Sequence, residues 1–291
     1  MRGSCVMKTI YLRYCALIAV SLFLFGGFIA CGAQMYKVSL QNDIDPKVAQ
    51  RANTNPKSPS YGIHAAGGWK QLPISFRIGN TMQKDQKNLL ESAIKKWEWA
   101  VGKKLFKFDG VQNGVDGDSF PNLYSSLNDT INGNYLDFNW EKTGKPNEVL
   151  ATTIWQNAPT DESYIDTSDI RYNTQLYLIG DSLKLTSDGT KEVVDMESLA
   201  LHELGHLLGL AHVEEKVDSD SIMNPQLYIG EGLVTRKFSR GDLTRIQSIY
   251  GCIGKACDVD TMVEEMEQNS DDATRRDDSE NESSDEIENE T

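Results

Sequence analysis

Three of the chain's four histidines fall in one short run, His202-Glu203-Leu204-Gly205-His206-Leu207-Leu208-Gly209-Leu210-Ala211-His212. Residues four apart share a helix face, so His202 and His206 can aim imidazole nitrogens at a single ion. His212 follows His206 by six positions and cannot lie on that face of a continued helix. The chain must turn between them, and Gly209 is the residue that can take the positive φ such a turn requires. Three neutral imidazoles with an open fourth position make the catalytic zinc arrangement. Glu203, next to the first ligand, is the candidate general base: it would take a proton from the attacking water and deliver it to a leaving amine. Each element of H-E-x-x-H-x-x-G-x-x-H has a separate geometric job, which makes the pattern specific for metal-assisted hydrolysis. Structural histidines would have no reason to stand at ligand spacing around a glutamate and a glycine.

The elements that must position these groups can be read on either side. Asp195 is a candidate N-cap, with Glu197 and Ser198 suited to the first turn of a helix reaching Leu210. Upstream, Leu72–Ile78 alternates apolar and polar residues as a strand does. Gln83–Val101 carries Leu90, Ala93, Ile94, Trp97 and Val101 at helical spacing. Residues 109–133 read as a long loop, and strands are expected at Tyr135–Trp140, Val149–Trp155 and Ile170–Ile179. Residues 156–169 and 224–238 read as loops shaping a substrate pocket. A last helix, Arg240–Tyr250, opens with Ser239-x-x-Asp242 and is stopped by Gly251. Gly205 is expected to admit a closely packed neighbour, Trp97, Trp99 and Trp155 to serve as core or cleft aromatics, and His64 to be an ordinary loop residue. The order of elements points to one mixed domain over 68–258.

After the third histidine comes Ser221-Ile222-Met223-Asn224-Pro225. With it the chain resembles the metzincin superfamily of zinc peptidases, in which the long histidine motif is followed by a Met-containing turn beneath the metal. Within that superfamily it is most similar to the matrixins. The Asp195-Met196-Glu197-Ser198-Leu199-Ala200 lead-in, the Asp242–Gly251 ending and the opening Trp69–Ile78 all match them. The resemblance implies an α+β fold: a twisted, mostly parallel five-stranded sheet with three helices, and a substrate cleft across one catalytic zinc. It assigns Met223 to support of the metal site and Pro225 to the wall of the pocket for the side chain after the scissile bond. The implied activity is endopeptidase cleavage of polypeptides, and the implied state is a monomer. Val213 stands where matrixins usually have serine, and Pro225-Gln226-Leu227-Tyr228 is one residue longer than their Pro-x-Tyr. With only His64 beyond the three ligands, no second, structural zinc of the family's type is expected. Asp109, Asn113, Asp116 and Asp118 have the oxygen chemistry of a calcium loop, although a solvated Gly-rich loop has the same composition and is the preferred reading.

The two ends of the chain read differently. Residues 1–30 resemble a signal peptide: Arg2, Lys8 and Arg13 precede an apolar run from Ala16 to Ala30. Ala30-Cys31 resembles the lipidation site of bacterial lipoproteins, which would make Cys31 the acylated first residue of the mature chain. An uncleaved anchor or plain secretion are the alternatives, and all three place the domain outside the cytoplasm. The expected location is a bacterial cell envelope, lipid-anchored at the outer membrane or cell surface. Residues 31–67 read as a tether. In an oxidising compartment Cys252 and Cys257 are expected to close a short loop by a disulfide. Residues 259–291 read as a disordered acidic tail. The formal net charge of -14 argues against nucleic acid as a partner. A competing class of function is a zinc-binding surface lipoprotein that acts as an adhesin without proteolysis. Glu203 argues against it, because a binding module needs no such base.

Overall fold

The protein is described by a computed structural model covering residues 36–39, 53, 55–115, 130–254 and 257–268. The elements in chain order are β1 (Tyr36–Ser39), β2 (Gly68–Trp69), β3 (Ile74–Gly79), α1 (Lys84–Val101), β4 (Phe106–Gln112) and β5 (Gly133–Asp137). A short 3-10 turn (Trp140–Thr143) leads to β6 (Ala151–Ala158), β7 (Asp161–Asn173), β8 (Tyr177–Gly180) and β9 (Glu192–Asp195). Then come α2 (Met196–Leu207), β10 (Gln226–Ile229), α3 (Arg240–Tyr250) and a last helix, α4, over 259–268.

The main sheet runs β2-β7-β5-β3-β4 with every one of these pairings parallel, and β6 adds to β7 in the antiparallel sense. Helices α1 and α2 pack on each other, α3 packs on α1, and α2 lies against β6 and β7. The architecture is therefore α+β with a mostly parallel sheet, as the resemblance implied. The sheet has six strands rather than five, because the two-residue β2 joins its edge. Helix α1 buries Leu90, Ala93, Ile94, Trp97, Ala100 and Val101 on one stripe, the 3.6-residue period read in the sequence. Trp97 is fully buried and donates its indole N–H to the carbonyl of Leu201, 3.1 Å away, which fixes α1 against α2.

Several boundaries differ from the expectations, each for a physical reason. Of the loop expected at 109–133, residues 109–112 belong to β4 and Gly133 to β5, and residues 116–129 lie outside the described residues. Ile170–Ile179 is two strands, β7 and β8, with a break where Leu176 N–H bonds the Asn173 side chain. Residues 156–169, read as a loop, form most of the β6–β7 hairpin, with pairs such as Gln156↔Thr167 and Trp155↔Ser168. Polar strands of this kind are held by their ladder and one buried face, so composition alone hides them. Within 224–238, residues Gln226–Ile229 form β10.

Both flanks are more ordered than composition suggested. Within the expected tether, β1 pairs antiparallel with β10, and Tyr61, Ile63 and Ala65 are buried against the domain. Within the expected disordered tail, α4 buries Met262 and packs Val259, Val263 and Met266 on the core. Those four apolar residues stand at helical spacing, a stripe that the surrounding acidic residues obscured. Cys252 and Cys257 are joined by a disulfide, with their Cα atoms 5.6 Å apart, in the connection between α3 and α4. The signal segment 1–30, the candidate lipid site Cys31 and the tail beyond residue 268 lie outside the described residues.

Candidate metal centre

All twelve residues of α2 are buried, so this helix is the hub of the domain rather than an amphipathic surface element. Its N-terminus is capped as the sequence indicated. Asp195 Oδ2 accepts from Ser198 N–H at 2.9 Å and from the Ser198 hydroxyl at 2.6 Å. The acidic groups gathered there are balanced by cations from elsewhere. Arg236 donates to Asp195 Oδ2 at 2.9 Å and to Asp181 Oδ1 at 2.8 Å, and Lys96 pairs with Glu197 at 2.7 Å.

One and a half turns further on, His202 and His206 stand on one face, both buried, and His212 joins them half-buried. Ring centroids are 4.7 Å apart for His202 and His206, 5.3 Å for His202 and His212, and 4.8 Å for His206 and His212. One ligand nitrogen from each lies within 4.8 Å of the others. Gly209 makes this convergence possible: its φ is +105°, and a Cβ there would come within 2.7 Å of the Ala65 carbonyl oxygen.

The hydrogen bonds fix which nitrogens face inward. His202 Nδ1 lies 2.7 Å from the Ile222 carbonyl oxygen and His206 Nδ1 lies 2.9 Å from that of Leu210. A carbonyl only accepts, so each Nδ1 carries its proton and each Nε2 presents a lone pair. Those two Nε2 atoms stand 3.1 Å apart. Two lone pairs facing each other at that distance repel unless a cation or a proton lies between them. Two nitrogens of a tetrahedral zinc site, each about 2.0 to 2.1 Å from the ion, would be about 3.3 Å apart. The donor set fits zinc, and the carbonyl partners are the outer contacts that orient such ligands.

Glu203 is fully buried beside the histidines, and its Oε2 accepts from the Thr153 hydroxyl on β6 at 2.5 Å. Tyr172, on the neighbouring β7, donates to Asn134 Oδ1 at 3.2 Å. Burial, with the charge of Glu203 added, raises the Tyr172 phenol well above its ordinary range, so it stays a neutral donor.

Met223 is buried against α2, with its sulfur where a Cβ on Gly205 would be only 2.4 Å away, so Gly205 is the close-packing position expected of it. The Met-turn is held from α3. Asp242, fully buried, accepts from the Ser221 hydroxyl at 2.5 Å and from Ile222 N–H at 2.9 Å, and Arg245 donates to it at 2.9 Å. Since the Ile222 carbonyl receives His202 Nδ1–H, Asp242 reaches the candidate ligand His202 through the backbone of one residue. The sequence marked Asp242 only as a helix-start residue, which it also is, as it accepts from Ser239 N–H at 2.9 Å.

Sequence reasoning also missed His64, which is no ordinary loop residue. Its Nε2 lies 2.8 Å from the His206 carbonyl oxygen, and its ring stacks on Trp155 at 4.0 Å with 19° between planes. Desolvation pushes the His64 imidazole down to about 3, so the ring is neutral near pH 7. Pro225 is half-buried immediately before β10. Of the candidate calcium ligands, Asp109 lies 3.5 Å from Arg77 and Asn113 is exposed, while Asp116 and Asp118 lie outside the described residues.

Residues 68–251 match the family described as Matrixin. Two relatives in Arabidopsis thaliana are similar over shorter stretches. Metalloendoproteinase 5-MMP is 39% identical over 84 residues, covering 26% of this chain and 22% of the relative. Metalloendoproteinase 2-MMP is 47% identical over 60 residues, 20% of this chain and 14% of the relative. The alignments thus span less than a quarter of either relative's length.

Proposed function

The chain belongs to the matrixin family, and on that premise we propose that it is a zinc-dependent endopeptidase acting on polypeptides outside the cytoplasm. The observation that carries the proposal is the pair of inward-facing Nε2 lone pairs at 3.1 Å with a buried carboxylate beside them. His202, His206 and His212 would hold the ion. Bound there, zinc supplies a Lewis acid that activates a water and polarises the scissile carbonyl. Glu203 accepts the proton of the attacking water as the new C–O bond forms, then delivers it to the nitrogen of the leaving amine, and the peptide C–N bond breaks. Thr153 keeps the carboxylate aimed at that water by bonding Oε2. Tyr172, near enough to feel the charge of Glu203, spends its hydroxyl proton on Asn134 Oδ1 and stays neutral.

The further parts of the proposal concern place. The basic start, the apolar run and Ala30-Cys31 support export and acylation at Cys31, with the domain held on a bacterial envelope. The Cys252–Cys257 disulfide suits an oxidising compartment. Labelled fatty acid should enter the wild-type chain and not Cys31→Ala; equal labelling of both would remove the lipid anchor from the proposal.

The activity is tested with the chain from Gly32 onward. Wild type should bind one zinc and cleave casein or gelatin, and a chelator should abolish cleavage. Glu203→Gln should keep its zinc and lose about 10²- to 10⁴-fold in kcat. Stoichiometric zinc with no cleavage of any peptide pool, or undiminished cleavage by Glu203→Gln, would overturn the endopeptidase reading.

A further inference from the structure

The C-terminal end of α2 must place His206, turn at Gly209 and deliver His212. Helix ends leave backbone carbonyls without intrahelical partners, and here each one can be accounted for. The Leu204 carbonyl accepts from Leu208 N–H and the Gly205 carbonyl from Leu210 N–H, both at 2.9 Å. Beyond them, side chains from distant segments take over. The Leu207 carbonyl accepts from the Trp69 indole and the Leu208 carbonyl from the Tyr250 hydroxyl, each at 2.8 Å. The His206 carbonyl accepts from Gly209 N–H at 3.0 Å and faces His64 Nε2 at 2.8 Å.

His64 grips this end twice. Its backbone N–H donates to the Gly209 carbonyl at 2.9 Å while its ring holds the His206 carbonyl. The two contacts bracket the turn that lies between the second and third histidines of the metal centre. Because the His206 carbonyl only accepts, Nε2 carries the ring proton. The opposite nitrogen, Nδ1, is buried with no hydrogen-bond partner among the described residues. Stacking on Trp155 orients the ring instead. Trp155 sits two residues after Thr153 on β6, so the two side chains share a face of that strand, and Thr153 is the residue that bonds Glu203. A single ring thus links the backbone of a metal ligand to the strand that orients the base.

We propose that His64 is a positioning residue for the metal centre, holding the His206–Gly209 turn so that His206 and His212 converge on the ion. The proposal rests on the zinc reading of the three histidines. Replacing a residue that served the fold alone would weaken metal affinity only in step with a loss of stability in the metal-free form. His64 combines a donor aimed at a ligand's peptide with an unpartnered buried nitrogen, the opposite of what fold stability favours.

The test uses the full-length protein and three variants. His64→Phe keeps an aromatic ring for Trp155 but removes the donor and the unpartnered nitrogen. His64→Gln offers an amide N–H at a reach similar to Nε2. His64→Ala removes the ring donor and the stacked ring and leaves the backbone N–H to the Gly209 carbonyl in place. Zinc affinity is measured by competition with a chromogenic chelator, the melting temperature of the metal-free form by calorimetry, and ligand geometry by the visible spectrum of the cobalt-substituted form. For His64→Phe the expected result is a 10- to 100-fold weaker zinc affinity and a shifted cobalt spectrum, with the metal-free melting temperature equal to or above that of wild type. His64→Gln should recover affinity to within about threefold of wild type, by restoring the outer-contact donor, and His64→Ala should resemble His64→Phe in affinity. Wild-type affinity and spectrum in His64→Phe would overturn the proposal, as would a loss of affinity that His64→Gln does not reverse. A metal-free form destabilised in parallel with affinity would reduce His64 to a fold residue. Absence of stoichiometric zinc in the wild type would instead sink the zinc reading beneath it.

Discussion

Thr153 donates its hydroxyl to Glu203 Oε2 at 2.5 Å in surroundings where both residues are fully buried. A hydrogen bond to a charged group is worth about 1.5 to 3 kcal/mol, and here it orients the base as well as solvating it. Thr153→Val keeps the shape and removes the donor, so kcat/KM should fall about 10- to 100-fold while zinc content stays at one. Thr153→Ser should recover most of the rate. Peptide hydrolysis kinetics with parallel zinc analysis checks this, and an unimpaired valine variant would show that Glu203 needs no such support. Nothing in the sequence distinguishes Thr153 from Thr152 beside it, because both are ordinary strand formers. Which one reaches Glu203 depends on the face that β6 turns toward α2. His202, Glu203 and His206 were legible because the α-helical period carries them on one short stretch of helix, and His212 because Gly209 marks the turn that returns it.

At the scale of elements, α2 is fixed at both ends by groups from outside it. Its first turn carries Asp195 and Glu197, both almost fully buried, with Arg236 serving Asp195, Asp181 and Glu197 from the far side of β10 in the sequence. Removing one partner of a buried ion cluster leaves its counter-charges stranded, at a cost of about 3 to 5 kcal/mol. Arg236→Met should therefore lower the urea midpoint by that free energy, with the slope of the transition unchanged. A shift worth less than about 1 kcal/mol would mean that the cluster behaves as an exposed one. The Asp195 cap could be read from the sequence because capping is local. Arg236 could not, as it lies 41 residues away from Asp195. The same contrast appears in α4: its apolar stripe is written in the chain, but only packing on the core separates it from the acidic residues around it.

For the whole molecule, the metal centre joins parts of the chain that share no local structure: α2, the turn after it, the Met-turn and, through Asp242, α3. An ion bound only by the folded chain stabilises it by about 2.7 kcal/mol when free zinc is a hundredfold above its dissociation constant. For a domain of this size that corresponds to roughly 5 to 10 °C in melting temperature. Adding a chelator should lower the melting temperature of wild type by this amount and leave that of His202→Ala unmoved. A melting temperature indifferent to both would mean that the histidines hold no ion in the folded state. The flank at β1 adds a four-residue ladder to β10, with Val38 packed on the core, and a Lys37–Glu215 pair at 2.8 Å whose exposed side chains contribute little stability.

By itself the sequence determined the clustering of His202, His206 and His212 with Glu203 beside them, the turn at Gly209, the cap at Asp195 and the helices that carry them. Each of these depends on residues within one or two turns of one another, where backbone geometry leaves few choices. Tertiary structure decided the rest. It chose Thr153 over its neighbour to hold Glu203, brought Asp242 under the Met-turn, and set His64, Trp69 and Tyr250 on the carbonyls that end α2. It also folded parts of the tether and tail onto the domain. Those contacts join residues 20 to 142 positions apart in the chain. Their partners are selected by the burial of polar groups that must be satisfied once water is excluded, a condition that exists only after the sheet and helices have closed around them.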